Sequence, residues 1–329
     1  MAGFARVLIA SCLLAATLGG CGIFDKKKIP LPGERVAVLA DRRELEPDKE
    51  AAAAGVVLPP PAVNDSWPQS GGFANYAMQH LAVGDVPQIV WSADVGAGST
   101  STRILTTPPV VADGKVFAKD AHSSVTAFNA DTGQRLWSVT LKPEKARDTD
   151  EFGGGLAWYG GKLFVTTGFA EVFCLDPSTG KEVWSSIVSA PVRGAPLVFL
   201  DRVFAVSIDN KIHALAAVDG RDLWNYTAVQ ESVGFVGGSS PAGSGEFVVA
   251  PFSSGELISL RIDNGRPAWN ETLIGQRSES RATGNLADIH GRPVIDRGLV
   301  LAMGTAGQMG AFELRTGSRV WDRNIGGYQ

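Results

Sequence analysis

Short runs of alternating apolar and polar residues dominate the chain from about residue 105 onward, and each run ends in a turn. One unit begins with the apolar run Pro109-Val110-Val111-Ala112 and meets the turn Asp113-Gly114. The strand Val116-Phe117-Ala118, a second turn and the alternating strand Val125-Thr126-Ala127-Phe128 follow. An Asp-x-Gly turn then leads into a strand carrying Trp137. Period-two alternation bounded by turn residues predicts strands with one packed face. The unit therefore predicts a four-stranded antiparallel meander, and the same order recurs from Leu197 to Trp224 and from Val294 to Trp321.

The last turn of each unit is the most regular feature. Five times a turn glycine stands four residues before a tryptophan: Gly133 and Trp137, Gly180 and Trp184, Gly220 and Trp224, Gly265 and Trp269, Gly317 and Trp321. Successive tryptophans are 40 to 52 residues apart, the period of a β-propeller blade rather than of a helical repeat. The glycine supplies the left-handed backbone position of a tight hairpin, and the tryptophan offers a broad flat face to a neighbouring sheet. A lone sheet of this kind cannot cover both faces, so the units must stack around an axis. The fold class is all-β, a propeller with five complete blades. One further tryptophan strand, Ile89-Val90-Trp91-Ser92, precedes them without partners of its own.

Composition narrows the function. The 329 residues include 39 glycines, well above the usual share of roughly 7%, as many tight turns require. The net charge of −4 leaves no basic excess for a nucleic-acid groove.

The first residues read as an export signal. Arg6 precedes an apolar run from Val7 to Leu18, too short to span a bilayer. Leu18-Gly19-Gly20-Cys21 closes it, and this resembles a bacterial lipobox. The resemblance implies cleavage before Cys21 and acylation there, with a membrane contact through the lipid alone. Gly22 in the next position implies sorting to the outer membrane. The expected organisation is a signal peptide over 1–20, a flexible periplasmic tether over 21–65 and the propeller over 66–329. The tether carries Lys26 to Lys28, an alanine tract from Ala51 to Ala54, and Pro59-Pro60-Pro61. Once Cys12 leaves with the signal and Cys21 is acylated, only Cys174 remains, in an alternating strand where a small buried residue is expected.

The run Ala127-Phe128-Asn129-Ala130-Asp131-Thr132-Gly133-Gln134-Arg135-Leu136-Trp137 resembles PQQ-like propeller repeats. Those repeats occur in quinoprotein dehydrogenases and in the BamB-type lipoproteins of the outer-membrane β-barrel assembly machinery. The lipobox, the tether, Trp67-Pro68-Gln69-Ser70-Gly71-Gly72 and the stretch from Leu286 to Val294 resemble the BamB type. The resemblance implies a non-catalytic scaffold that binds periplasmic domains of the barrel-assembly protein BamA, with unfolded outer-membrane proteins as further candidate partners. It also implies eight blades, so either about three, roughly 140 residues at this period, are lacking, as expected here, or the five form an unusual ring of their own. An apolar-x-Arg-Gly loop of the family corresponds to Val192, Arg193 and Gly194, with Val192 as an apolar contact and Arg193 as a forked donor. A family acidic loop corresponds to Asp288, with His290 at its second acidic position and Gly291-Arg292 in place of its threonines.

Catalytic signatures are missing from the sequence. The four histidines fall in different units without metal-ligand spacing, and no nucleophile elbow, P-loop or dinucleotide fingerprint appears. Gly153-Gly154-Gly155 and Gly237-Gly238 read as turns, Glu144 to Glu151 as a solvated loop, and His213 as structural. No cofactor is expected. The alternatives are a PQQ-dependent dehydrogenase, which adjacent cysteines and a calcium cluster would mark, and a peptidoglycan- or sugar-binding propeller.

Overall fold

The computed structural model describes residues 49–101, 104–141, 153–230, 238–273, 289, 291–305 and 307–325. Cys21, Asp288, His290, Gly237 and the Glu144–Glu151 loop lie outside the described residues. The alanine tract forms the short helix α1 (Lys49–Ala54). Ala62 bridges Leu81, and Pro59 O lies 2.8 Å from His80 Nδ1.

Five separate four-stranded antiparallel sheets follow, each paired in simple sequence order. Blade 1 comprises β1 (Val110–Ala112), β2 (Lys115–Lys119), β3 (Ser124–Asn129) and β4 (Arg135–Thr140). Blade 2 runs from β5 (Gly154–Tyr159) through β6 (Lys162–Thr167) and β7 (Glu171–Leu175) to β8 (Glu182–Ile187). Blade 3 holds β9 (Leu197–Phe199), β10 (Arg202–Ser207), β11 (Lys211–Ala216) and β12 (Asp222–Thr227). Blade 4 holds β13 (Ala242–Ser244), β14 (Phe247–Pro251), β15 (Glu256–Arg261) and β16 (Pro267–Thr272). Blade 5 ends the series with β17 (Val294–Asp296), β18 (Leu299–Met303), β19 (Gln308–Glu313) and β20 (Arg319–Asn324). The first strands touch in succession, β1 with β5, β5 with β9, β9 with β13 and β13 with β17, so they lie nearest the axis.

The core lies between blades rather than within them. Phe117 and Val125 of blade 1 meet Leu156, Leu163 and Val165 of blade 2. The same sandwich recurs between blades 2 and 3, 3 and 4, and 4 and 5. Phe117, Phe164 and Phe204 are fully buried, each contributing on the order of 1.5–3 kcal/mol by burial.

Each turn glycine has φ between +70° and +74°, and each turn also receives the tryptophan of the preceding unit. A Cβ on Gly180 would stand 2.6 Å from the ring of Trp137. Gly220 stands likewise under Trp184, Gly265 under Trp224 and Gly317 under Trp269. The indole N–H then donates to the carbonyl three residues before that glycine: Trp137 to Pro177 (3.0 Å), Trp184 to Ala217 (3.1 Å), Trp224 to Ile262 (2.9 Å) and Trp269 to Leu314 (2.7 Å).

Trp91 makes the same two contacts, with Gly133 and with Ala130 O at 2.8 Å, although residues 89–92 pair with no described strand. Ile89 and Val90 beside it are 90% and 83% exposed. Trp321, on the outer strand of blade 5, has no such turn over it among the described residues.

In the third strand of every blade the residue opposite the tryptophan is small: Ala127, Cys174, Ala214, Ser259 and Ala311. The register shifts immediately after it, as a bulge that bends the strand around the indole. Cys174 is thus a small buried residue, 1% exposed, and burial pushes its thiol up to about 11, only partly offset by Lys162.

Candidate functional site

The links that carry the chain from one blade to the next first strand crowd together around the axis. Thr107 Oγ1 of the link into blade 1 donates to Gly154 O at 3.1 Å. Gly154 N–H donates to Arg193 O at 3.0 Å, and Thr166 Oγ1 to Gly194 O at 2.8 Å. A Cβ on Gly194 would stand 2.5 Å from Ser239 O, and Ser239 Oγ donates to Gly291 O at 3.0 Å. These contacts couple the links of all five blades into one rim.

Sequence reading takes Gly153-Gly154-Gly155 for turns, but Gly153 and Gly155 stand close against the neighbouring link and Gly154 against β6 of its own blade. Gly153 would place a Cβ 2.8 Å from Arg193 Cα, Gly155 one 2.4 Å from Ala195, and Gly154 one 2.1 Å from Thr166 O. A Cβ on Gly238 would likewise stand 2.3 Å from Gly194 N.

Of the candidate contact residues, Val192, Arg193 and Gly194 fall in this rim. Val192 is 1% exposed and packs in the core between blades 2 and 3. Its backbone bridges Ser207, and its N–H reaches Thr167 O at 3.3 Å. Its side chain is therefore an anchor for the loop, and Arg193, half-buried beside it, carries the polar surface. Six residues before the equivalent strand residues Val198 and Ile295, Ile289 stands where Val192 stands. Ile289 is fully buried, as Val192 is.

Beside this loop lies a polar cluster that sequence reading does not assemble. Ser189 Oγ donates to Asp209 Oδ2 at 2.7 Å and Ser207 Oγ to Asp209 Oδ1 at 2.5 Å. His213 Nε2 lies 3.0 Å from Ser189 Oγ and 3.2 Å from Ser207 Oγ. Ser207 Oγ also lies 3.1 Å from Lys211 O, and where both hydroxyl protons go to Asp209, Nε2 is left as the donor to the serines. A nucleophilic triad needs the reverse order, with the imidazole accepting from the serine and the carboxylate on Nδ1. The cluster is therefore a clasp joining link 188–196 to the turn after β10. Burial lowers the His213 pKa, partly opposed by Asp209. Burial alone would raise the Asp209 carboxyl, but the hydrogen bonds from Ser207 and Ser189 outweigh it and hold it low.

The next blade has a counterpart in Glu256, which accepts from Val229 N–H, Ser254 Oγ and Asn270 Nδ2 at 2.8 to 2.9 Å. Among the described residues no group of three or more His, Cys, Asp or Glu is placed to hold a metal. Nor is any described helix long and apolar enough to cross a membrane.

The sequence model of the family described as outer membrane protein assembly factor BamB matches residues 87–147 and 121–329. BamB of Escherichia coli (strain K12) is 28% identical over 243 residues, covering 73% of this chain and 62% of that protein. BamB of Nitrosomonas eutropha is 27% identical, covering 71% and 54%. The chain thus spans between about half and two thirds of the length of these relatives. Among solved structures, BamB from Moraxella catarrhalis superposes with a TM-score of 0.58 at 19% identity, covering 67% of this chain and 64% of that one. A europium-containing methanol dehydrogenase gives 0.63 at 15% identity, covering 79% and 58%. At these identities the structural matches establish the propeller fold and nothing further.

Proposed function

On the premise that this chain belongs to the family of the outer membrane protein assembly factor BamB, we propose that it acts by binding, as a scaffold in outer-membrane protein assembly. The observation that carries this reading is the family match itself, which runs through all five blades to the last residue. The rim gives it a physical basis. Five links locked to one another by glycine contacts and hydrogen bonds form a surface that loses little conformational freedom when a partner docks. Arg193 offers a planar set of donors suited to carboxylates or carbonyls on a partner.

In this reading the export signal covers residues 1–20, Cys21 carries the lipid, and residues 21–65 tether the body to the outer membrane on its periplasmic side. The partner is a BamA-like assembly protein, met through its periplasmic domains, and Asp288 and His290 extend the same contact from the link into blade 5. Unfolded outer-membrane proteins are brought near by the assembly rather than processed by it, which raises their effective concentration.

The test is affinity purification of the tagged full chain from detergent-solubilised outer membranes, wild type beside Arg193→Glu. Recovery of a BamA-like barrel protein by the wild type alone supports the scaffold and the contact. Its recovery by neither form, with the chain present in the membrane fraction, overturns both.

A further inference from the structure

Residues 67–76 precede the repeats and belong to no blade, yet they touch all five. One N–H from each first strand donates to this segment. Val111 gives to Trp67 O (2.9 Å), Trp158 to Pro68 O (2.7 Å) and Val198 to Gln69 Oε1 (3.3 Å). Gly243 gives to Ala74 O and Ile295 to Asn75 O, both at 2.8 Å. The five donors are equivalent, since each is partnered five residues on: Val111 with Val116, Trp158 with Leu163, Val198 with Val203, Gly243 with Val248 and Ile295 with Val300. Two bonds return from the segment, Trp67 N–H to Val111 O at 2.6 Å and Gln69 Nε2 to Val198 O at 2.7 Å.

The composition of the segment follows from this path. Pro68 needs no donor of its own, because only its carbonyl is used. Gln69 is 3% exposed, and its carboxamide both accepts from and donates to Val198, as a neighbouring strand residue would. Paired bonds between Gln69 and Gly72 then make a tight turn. A Cβ on Gly71 would stand 2.3 Å from the Tyr76 ring, and one on Gly72, at φ +97°, would stand 1.8 Å from Met78 Sδ. Tyr76 closes the path in the core between blades 4 and 5, with the Arg292 guanidinium 5.9 Å over its ring.

We propose that the axial edge of the five first strands is a sequence-specific site for an extended peptide, occupied by the chain's own residues 67–76, and that its occupancy fixes the spacing between blades. An inner-edge N–H without an acceptor is costly once buried, and one continuous segment supplies an acceptor to all five. A blade that swings away from the axis must break its bond to the segment. The other blades hang on that same segment, so their spacing is coupled through it. Recognition rests on carbonyls at 67, 68, 74 and 75, the carboxamide at 69 and glycine at 71 and 72.

The test keeps the whole chain. A protease recognition site is inserted between Gly84 and Asp85, where Val83 and Val86 are 82% and 75% exposed, and the folded protein is then cut. The cut segment is expected to co-elute with the blades and to exchange slowly against a labelled synthetic peptide of residues 59–84. A peptide carrying Gln69→Ala should bind roughly tenfold more weakly or worse, since two hydrogen bonds are lost. In the uncut chain, Gln69→Ala should speed hydrogen exchange at Gly243 and Ile295 as well as at Val198. Separation of the cut segment under native conditions, whatever becomes of the blades, overturns the proposal. Equal affinity of the two peptides, or faster exchange confined to Val198, overturns it too. If the full-length variant does not fold, the peptide comparison still reads Gln69, because the substitution is then in the peptide alone.

Discussion

The indole of Trp137 lies over Gly180 of the next blade so closely that a Cβ there would stand 2.6 Å from the ring. Gly180 thus has two reasons to be glycine, its φ of +73° and this contact. Gly114, at φ +67°, has only the first, since nothing lies within 4 Å of its Cβ position. Gly114→Ala is expected to cost about 1 kcal/mol, the left-handed penalty. Gly180→Ala should cost about 1–3 kcal/mol more, as aromatic packing and the Trp137 hydrogen bond are strained together. Urea unfolding curves with unchanged slope would separate the two, and equal costs would show that the tryptophan contact contributes nothing.

Cys174 faces Trp184 across the sheet at a position that holds Ala or Ser in the other blades. Cys174→Ala should therefore change stability by less than about 1 kcal/mol, whereas Cys174→Leu should cost roughly 1–3 kcal/mol by overpacking. The native thiol, buried with a pKa pushed up to about 11, should resist maleimide at pH 8 and react only on unfolding. Fast labelling of the native protein would contradict this placement.

Acid should loosen the clasp around His213. Its pKa is lowered from 6.5 in the folded chain, so the unfolded chain binds more protons as pH falls below that value. Its stabilising contribution is present above about pH 6.5 and is lost as pH drops through the folded pKa. Asp209, also held low from 3.8, acts in the same direction at more acid pH. The charges facing His213 are Asp209, Lys211 and Asp222. Melting temperature should decline from pH 7 to pH 5, and His213→Gln should flatten the decline. An identical slope in the variant would place the effect elsewhere.

Metabolic labelling addresses the anchor. Cys21→Ala is expected to abolish palmitate incorporation and to release the chain from sedimented membranes. Incorporation that persists in the variant would mean that acylation occurs at another residue.

The blades are legible in the sequence because their information is local. The Gly133-to-Trp137 spacing and the alternation in Val125 to Phe128 are set within one hairpin, and the same writing recurs in five places. The docking role of Trp91 is legible only in part. Ile89 to Ser92 reads as a strand but pairs with none described, while its indole still takes the contacts the repeat predicts.

The rim is less readable. Val192 looks like an exposed apolar contact, yet alternation cannot assign a face within a short link, and pairing with Ser207 turns it inward. Gly153 to Gly155 look like turns because glycine marks turns and close approaches alike, and only the positions of Arg193, Thr166 and Ala195 distinguish them. Gln69 is the clearest omission. Nothing in Trp67-Pro68-Gln69 alternates, and its acceptors have a use only after five first strands stand side by side.

The axial segment also sets an order of events. Synthesis delivers residues 67–76 before any of their partners, and Ile295, the last of them, emerges after more than four blades of chain. The contact of Gln79 with Asp296 joins residues 217 positions apart, whereas every hairpin within a blade closes over a few. Local hairpins form early and such long-range closures form late. The first part of the body to be made is therefore the last to settle, and until it does, the inner edges of all five sheets stay open to foreign strands. Those edges are therefore at their most exposed in the interval between the first blade and the fifth.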